Sequence, residues 1–443
     1  MEPMVYLLNF TVSGIKNIED DLRLDFYKKT VDKKFDSEQY RVKAIYGENG
    51  SGKTGIVLAV KILKALILEE NYLSDNANRQ FLYEVINKKS KELHLECEYI
   101  IKSDKRSVIY HYAITLKELN NNRIEVIEEY LSCKNANYSA SKYEEIFHAK
   151  NGEIVTLTGL PWEQEAARKL SANLISQQSF VSTLMRWIRA REEDNEDREE
   201  DLYVRLSEVF MFGVLLNASL EEEDKQQGVL DTYSSIIADY KEEADSKSSM
   251  QLIPHVGVNA GNTTYVDKKD YKYFKEEVKK LEEFIRIFKP DLISIDIEKK
   301  EWKAVYECSL LLNYGDYRVS REFESTGINK LIRLFDYLKA SAIGKITFID
   351  EMDSNINDIY LVKIIEYFML YGKGQLCFTT HNTGPMEVLR RNKKSIDFLS
   401  SDGRIIPWRT NGNFAPEKLY RHGMIEYLPF NVEAEDFIGV LGD

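Results

Sequence analysis

Near the N-terminus, apolar residues fall in short runs separated by turn formers. Tyr6-Leu7-Leu8-Asn9-Phe10-Thr11-Val12 and Leu22-Arg23-Leu24-Asp25-Phe26 read as two strands around Ser13-Gly14 and Asn17. A third run, Val42-Lys43-Ala44-Ile45-Tyr46, precedes Ile56, Val57, Ala59, Val60, Leu63 and Leu66, whose spacing is helical. Between Leu93 and Leu131 the period drops to two, which predicts a strand meander with a turn at Asn120-Asn121-Asn122. From about Trp162 helical spacing and charged stretches take over. Phe274, Val278, Leu281, Phe284, Ile285 and Phe288 form one core-facing stripe, and the run from Glu192 to Asp201 reads as solvated charge. In the last third, Lys345–Asp350 and Gln375–Thr380 are continuous apolar runs, as in a parallel sheet covered on both faces.

Chemistry enters at the end of the third run. Gly47-Glu48-Asn49-Gly50-Ser51-Gly52-Lys53-Thr54 has the form G-x-x-x-x-G-K-[ST] and stands between a predicted strand and a predicted helix. In that context Gly47, Asn49, Gly50, Ser51, Gly52, Lys53 and Thr54 are candidate nucleotide ligands. Successive backbone N–H groups wrap phosphate oxygens at the positive end of a helix, Lys53 reaches the β- and γ-phosphates, and the Thr54 hydroxyl ligates Mg²⁺. The strand Ile346–Ile349 delivers Asp350 and Glu351 together. Asp350 suits a metal held through its waters, and Glu351 suits a group that polarises an attacking water. His381 follows the next predicted strand and can donate to a γ-phosphate. Ser325 and Gly327, in Glu324-Ser325-Thr326-Gly327, open an amphipathic helix and make a second candidate anion site.

Bulk composition narrows the classes. With 443 residues the chain can bury a sizeable core, and its net charge of −13 argues against a surface that is basic all over, while leaving room for DNA at a local patch. No apolar run reaches membrane-span length, and Met1-Glu2-Pro3-Met4 does not open a signal peptide. The four scattered cysteines form no metal-ligand pair, so a reduced, cytoplasmic protein is expected. His94, His111, His148, His255 and His422 show no metal-ligand spacing and read as structural or surface residues.

The order of phosphate loop, large insertion, Ser-x-Gly helix start, Asp-Glu strand and histidine resembles the ABC-type ATPase head. That head is shared by transporter motors, SMC-like proteins and OLD-like ATPases. The resemblance implies an α/β fold: an N-terminal half with antiparallel strands over 1–134, a mainly helical insertion over 135–290, and a C-terminal half with a mostly parallel sheet over 291–443. It also implies ATP and Mg²⁺ as cofactors and a head-to-tail homodimer, open to growth into a larger homo-oligomer, in which the Ser325–Gly327 segment of one copy closes over the nucleotide of the other. Asp353-Ser354-Asn355 matches the loop that crosses such a seam, and Gln177 or Gln178 matches the Mg²⁺-sensing glutamine. Thr326 stands where transporter heads carry Gly, and Asn357 where relatives often carry His.

Within that group the chain is similar to stand-alone ATPases of bacterial anti-phage defence: the ATPase components of the PARIS and AbiL abortive-infection systems, RloA and, more distantly, PtuA of Septu. The similarity is carried by Asn9–Lys16, the Glu324 segment, Phe378-Thr379-Thr380-His381-Asn382 and Leu419-Tyr420-Arg421-His422-Gly423. What it implies is a slow ATPase acting as sensor or scaffold, which holds a separate effector, expected to be a nuclease, until a phage-encoded trigger arrives. Too few residues follow His381 to build a nuclease domain in this chain. The competing expectation is a DNA-binding, SMC-like ATPase of repair or restriction, but long heptad arms are absent.

Overall fold

The computed structural model describes residues 3–104, 106–119, 123–138, 140–172, 176–184, 201–221, 263–303, 305–408, 415–423, 425 and 440. In chain order the elements open with β1 (Met4–Ser13), β2 (Leu22–Asp25), β3 (Val42–Gly47), α1 (Lys53–Leu68) and α2 (Asn76–Val85). Next come β4 (Glu92–Lys102), β5 (Ser107–Leu119), β6 (Arg123–Asn135), β7 (Glu144–Lys150), β8 (Glu153–Leu157) and α3 (Pro161–Ser171). The middle holds α4 (Asp201–Leu215), β9 (Leu216–Ser219), β10 (Thr263–Asp267), α5 (Tyr271–Phe288), β11 (Ser294–Glu301), β12 (Val305–Asn313) and β13 (Arg318–Ser320). The last part runs α6 (Thr326–Ala342), β14 (Ile346–Ile349), α7 (Asp358–Tyr371), β15 (Gln375–Thr379), α8 (Met386–Leu389), β16 (Ile396–Leu399), β17 (Ile405–Pro407) and α9 (Pro416–Arg421).

Three sheets result. The central one has six strands in the order β17-β16-β3-β15-β14-β9, parallel throughout except for β17. Its strands β3, β14, β15 and β16 are buried along their whole length, as the continuous apolar runs require. A seven-stranded antiparallel sheet, β2-β1-β4-β5-β6-β7-β8, lies over one face. The residues of β4 alternate between buried and half-exposed, in line with the period-two pattern. Phe348 of β14 meets Phe10 and Phe26 edge-on, with ring centroids 6.5 and 5.8 Å away. The Gln375 side chain accepts from the Leu7 N–H at 2.6 Å and donates to its carbonyl at 3.0 Å, stitching β15 to β1. Helix α1 is buried on nearly every side, and α6, α7 and α5 cover the opposite face with a small sheet of β10, β12, β11 and β13.

The segment 135–290, expected as a mainly helical insertion, supplies α3, α4 and α5 among the described residues and also adds strands to all three sheets. Strands β7 and β8 extend the antiparallel sheet, β9 forms the edge of the central sheet beside β14, and β10 pairs with β12. Glutamate and lysine on the solvent faces of β7 and β8 mask their alternation, and the four residues of β9 are too few to show a period; β14 recruits them through its backbone. The stripe at 274–288 does form α5, which buries Phe274, Val278, Leu281 and Ile285. The Asn120–Asn122 turn, His255 and the charge run up to residue 200 lie outside the described residues.

One polar pair sits inside this core. Lys43 of β3 and Asp397 of β16 form an ion pair at 2.5 Å with both side chains 2% exposed, and the ammonium lies 5.6 Å from the Phe26 ring centre. Breaking such a pair strands one buried charge, which costs about 3–5 kcal/mol, whereas replacing both partners restores an apolar contact. Lys43→Met is therefore expected to lower the urea midpoint strongly, and adding Asp397→Leu should recover most of the loss.

Candidate functional site

Strands β3, β15 and β14 are neighbours and point the same way, so their C-terminal ends open onto one edge of the sheet. The phosphate-binding loop leaves β3, His381 follows β15, and Asp350-Glu351 follow β14. Backbone bonds lock the arrangement: Asp350 N–H donates to the Ser219 carbonyl at 2.9 Å, and Thr380 N–H to the Ile45 carbonyl at 3.2 Å.

The loop is shaped to receive an anion. Gly50 and Gly52 take φ of +79° and +109°, conformations that a side chain resists. Among the described residues no acceptor takes the N–H groups of Gly50, Gly52, Lys53 or Thr54, and the buried Ser51 hydroxyl has no partner. The Lys53 ammonium is held 2.8 Å from both the Gly47 and Glu48 carbonyls, folded back over the loop. Burial pulls its pKa down, while Asp350, Glu351, Asp353 and Glu48 oppose that shift. Asn49 is exposed on the loop, and Thr54 stands in the first turn of α1. Donor N–H groups, an ammonium and a hydroxyl at a helix N-terminus fit a polyphosphate, and Thr54 with Asp350 fits Mg²⁺.

On the facing side one hydroxyl organises the acidic pair. Thr379 Oγ1 donates to Asp350 Oδ1 at 2.6 Å and accepts from the Glu351 N–H at 2.8 Å. Glu351 has φ +44°, a left-handed turn that costs a non-glycine residue about 1–2 kcal/mol. Desolvation raises the Glu351 pKa, and Asp350, Glu221 and Asp353 add to the effect. Desolvation lowers the His381 pKa, with Lys53 as the next cause, so the ring is held neutral at neutral pH and can donate one N–H. The backbone N–H groups of His381 and Asn382 both donate to Asp353 Oδ2, at 3.3 and 3.2 Å.

The structure thus brings Lys53, Asp350, Glu351 and His381 together and places Ser325 and Gly327 elsewhere. Ser325 is exposed, and its hydroxyl caps α6 by accepting from the Ile328 N–H at 3.4 Å. Gly327 abuts the loop after the acidic pair, where an added Cβ would stand 2.8 Å from the Asn355 carbonyl oxygen. Among the described residues no hydrogen bond joins this segment to the phosphate loop of its own chain. Gln177 is exposed, and its neighbour Gln178 bonds the Asn71 side chain at 3.5 Å. Asn71 lies beyond the C-terminal end of α1, whereas Thr54 stands in its first turn.

Residues outside the expected site also shape it. Asn17, read there only as a turn residue, donates its amide to the Gly50 carbonyl and so braces the phosphate loop. Thr379 carried no sign of its bridging role. Lys330 of α6, 1% exposed, pairs with Glu221, which also accepts from the Ser354 hydroxyl at 2.8 Å. That chain of contacts ties the Ser325 helix to the loop after Glu351, and of its members only Ser354 stood in a motif named from the sequence.

The family comparison decides the class. Residues 43–387 match the family model described as "AAA domain, putative AbiEii toxin, Type IV TA system". The chain belongs to this AAA family. The match begins at the phosphate-loop strand and ends just past His381, so it spans every element of the converging site. No curated protein matches the chain in sequence. Among solved structures it is similar to the crystal structure of an Smc head bound to the C-winged helix domain of ScpA, with 14% identity, a TM-score of 0.40, and coverage of 94% of this chain and 99% of that one. Among the described residues no helix is long and apolar enough to cross a membrane.

Replacing Thr379 by the isosteric Val removes the bridge while keeping the packing. Losing an outer hydrogen bond of this kind weakens metal binding about 10- to 100-fold. Titration calorimetry with ATP should show that loss only when Mg²⁺ is present, with the melting temperature little changed.

Proposed function

We propose that this chain binds and hydrolyses ATP with Mg²⁺ at sites completed by a second copy of itself. The observation that carries the reading is the division of the anion-binding parts. Lys53, Asp350, Glu351 and His381 converge on one sheet edge, while among the described residues the exposed Ser325–Gly327 helix start makes no hydrogen bond to the phosphate loop of its own chain. A head-to-tail pair lets each Ser325 helix close on the partner's phosphate loop. In that arrangement Lys53, Thr54 and the free loop N–H groups hold the phosphates, Thr54 and Asp350 hold the Mg²⁺, and Glu351 orients the attacking water. Its raised pKa makes it a better proton acceptor than an ordinary carboxylate. The neutral His381 supplies a hydrogen bond beside the leaving phosphate. The bound Mg²⁺ supplies charge neutralisation at the phosphates.

In the cell this pairing serves as a switch. The family description supports a place in toxin–antitoxin or abortive-infection defence. The sequence features shared with PARIS- and AbiL-type ATPases support a sensor or scaffold that holds a separate effector, a nuclease, and releases or activates it on a phage signal.

Three variants test the ATPase reading. Lys53→Ala is expected to lose ATP binding. Glu351→Gln should bind ATP normally, hydrolyse it at least about 100-fold more slowly, and accumulate as an ATP-locked dimer by light scattering. Ser325→Arg should bind ATP as a monomer and neither pair nor turn over; wild-type turnover by a monomeric Ser325→Arg protein would overturn the composite site. The defence role predicts copurification with the product of an adjacent gene, and loss of phage resistance when Lys53→Ala replaces the wild type. Unchanged phage sensitivity on deletion would sink it.

A further inference from the structure

A second concave site lies on the antiparallel sheet, built by residues that the phosphate loop does not use. It is a cleft of about 470 Å³ bounded by β1, β2, β4, β5 and β6, the chain after β2, and the residues that lead into β7. Its size falls within the range of small-ligand sites. Leu8 and Ile109 give it apolar surface, and Tyr138, 59% exposed, stands with Tyr143 at its wall.

Charge in the cleft is not balanced. Its two carboxylates are occupied: Arg23 bonds Asp25 at 3.0 Å and lies 3.9 Å from Glu98, and Lys394 reaches Asp25 at 3.2 Å. Lys28, Lys29 and Lys134 also line it, and among the described residues no carboxylate pairs with any of them. Two lie against rings, Lys28 5.6 Å from the Tyr27 centre and Lys134 4.1 Å from that of Tyr143. On a chain with a net charge of −13, a concave group of unpaired ammoniums is a local inversion of sign.

At the same site a buried acceptor is left over. Asn9 is 4% exposed, and its amide nitrogen donates to Glu98, a carboxylate that can only accept. The orientation of the amide is thereby fixed, and Asn9 Oδ1 has no partner among the described residues. A buried acceptor without a donor is uncommon and calls for one.

Cations without a carboxylate partner, the exposed Tyr138 ring beside half-buried Tyr143, and an acceptor awaiting an N–H together match one ligand chemistry. We propose that this cleft binds a phosphorylated nucleotide, with its phosphate on Lys28, Lys29 and Lys134, its base against the tyrosines and a base N–H on Asn9. The same chemistry is offered by a free nucleoside monophosphate or by the unpaired 5′-phosphorylated end of a nucleic-acid strand. The proposal is independent of the ATPase reading, because none of the phosphate-loop residues lines the cleft.

The test uses the full chain with its phosphate loop filled by a non-hydrolysable ATP analogue. A labelled, 5′-phosphorylated short single strand is titrated by fluorescence anisotropy and competed with nucleoside monophosphates, with an unphosphorylated strand and with inorganic phosphate. Lys28→Glu combined with Lys134→Glu should weaken binding at least about tenfold, and Tyr138→Ala should weaken it less. Both variants should leave ATP binding unchanged. Competition by monophosphates as effective as by strands assigns the free nucleotide; competition by phosphorylated strands alone assigns a strand end. The proposal is overturned if the wild type does not bind the probe, if inorganic phosphate competes as well as the nucleotides, or if Lys53→Ala abolishes binding while the cleft variants do not.

Discussion

Everything at the converging site depends on the parallel pairing of β3, β15 and β14. Hydrogen bonding sets the register, with Ile45 opposite Thr379 and Ile349 opposite Phe378, so three loops emerge at the same height from one edge. Strands buried on both faces cannot slip without exposing apolar side chains and unpairing backbone groups. The sheet therefore fixes the distances among Lys53, Asp350, Glu351 and His381 before any ligand contributes. Local devices then refine what the register delivers. The Thr379 hydroxyl spans two strands to hold the acidic pair, and Asp353 clamps the turn that carries His381.

Much of this was legible in the residues, and for a physical reason. A phosphate cradle needs glycines at fixed offsets, and a fully buried strand needs an unbroken apolar run, so both leave local marks. The loop at Gly47–Thr54, the strands before Asp350 and His381, and the helix start at Ser325 were all visible that way. Contacts that join distant segments leave no such mark. Asn17 on the phosphate loop, Gln375 on β1 and Glu221 on Lys330 each look like an ordinary polar residue until the fold brings the partner near. The middle of the chain misled because β9 owes its existence to β14 and not to its own four residues. A glutamine has no signature either, and position along the chain alone could not choose between Gln177 and Gln178.

The buried polar groups show how the molecule couples its parts. Lys330, Glu221 and Ser354 form a continuous link from the Ser325 helix to the loop that follows Glu351. A displacement of that helix bears directly on the acidic pair, because Glu221 and Lys330 both contribute to the electrostatic environment of Glu351. Gly327 keeps the two segments in contact by presenting no side chain to Asn355. Chemistry at the sheet edge and contact at the exposed helix start are thus mechanically one device.

The stitch between Leu7 and Gln375 also has a consequence for biosynthesis. Its partners are 368 residues apart in sequence, and β3 itself lies between β15 and β16, strands from the far end of the chain. Contacts this distant can form only after the intervening chain has left the ribosome, and they fold slowly. The central sheet cannot close around β3 until β16 has emerged, so nascent and truncated chains hold the phosphate-loop sequence without the frame that shapes it. The frame of the nucleotide site therefore takes shape only after β16 has been made, long after the loop's own residues.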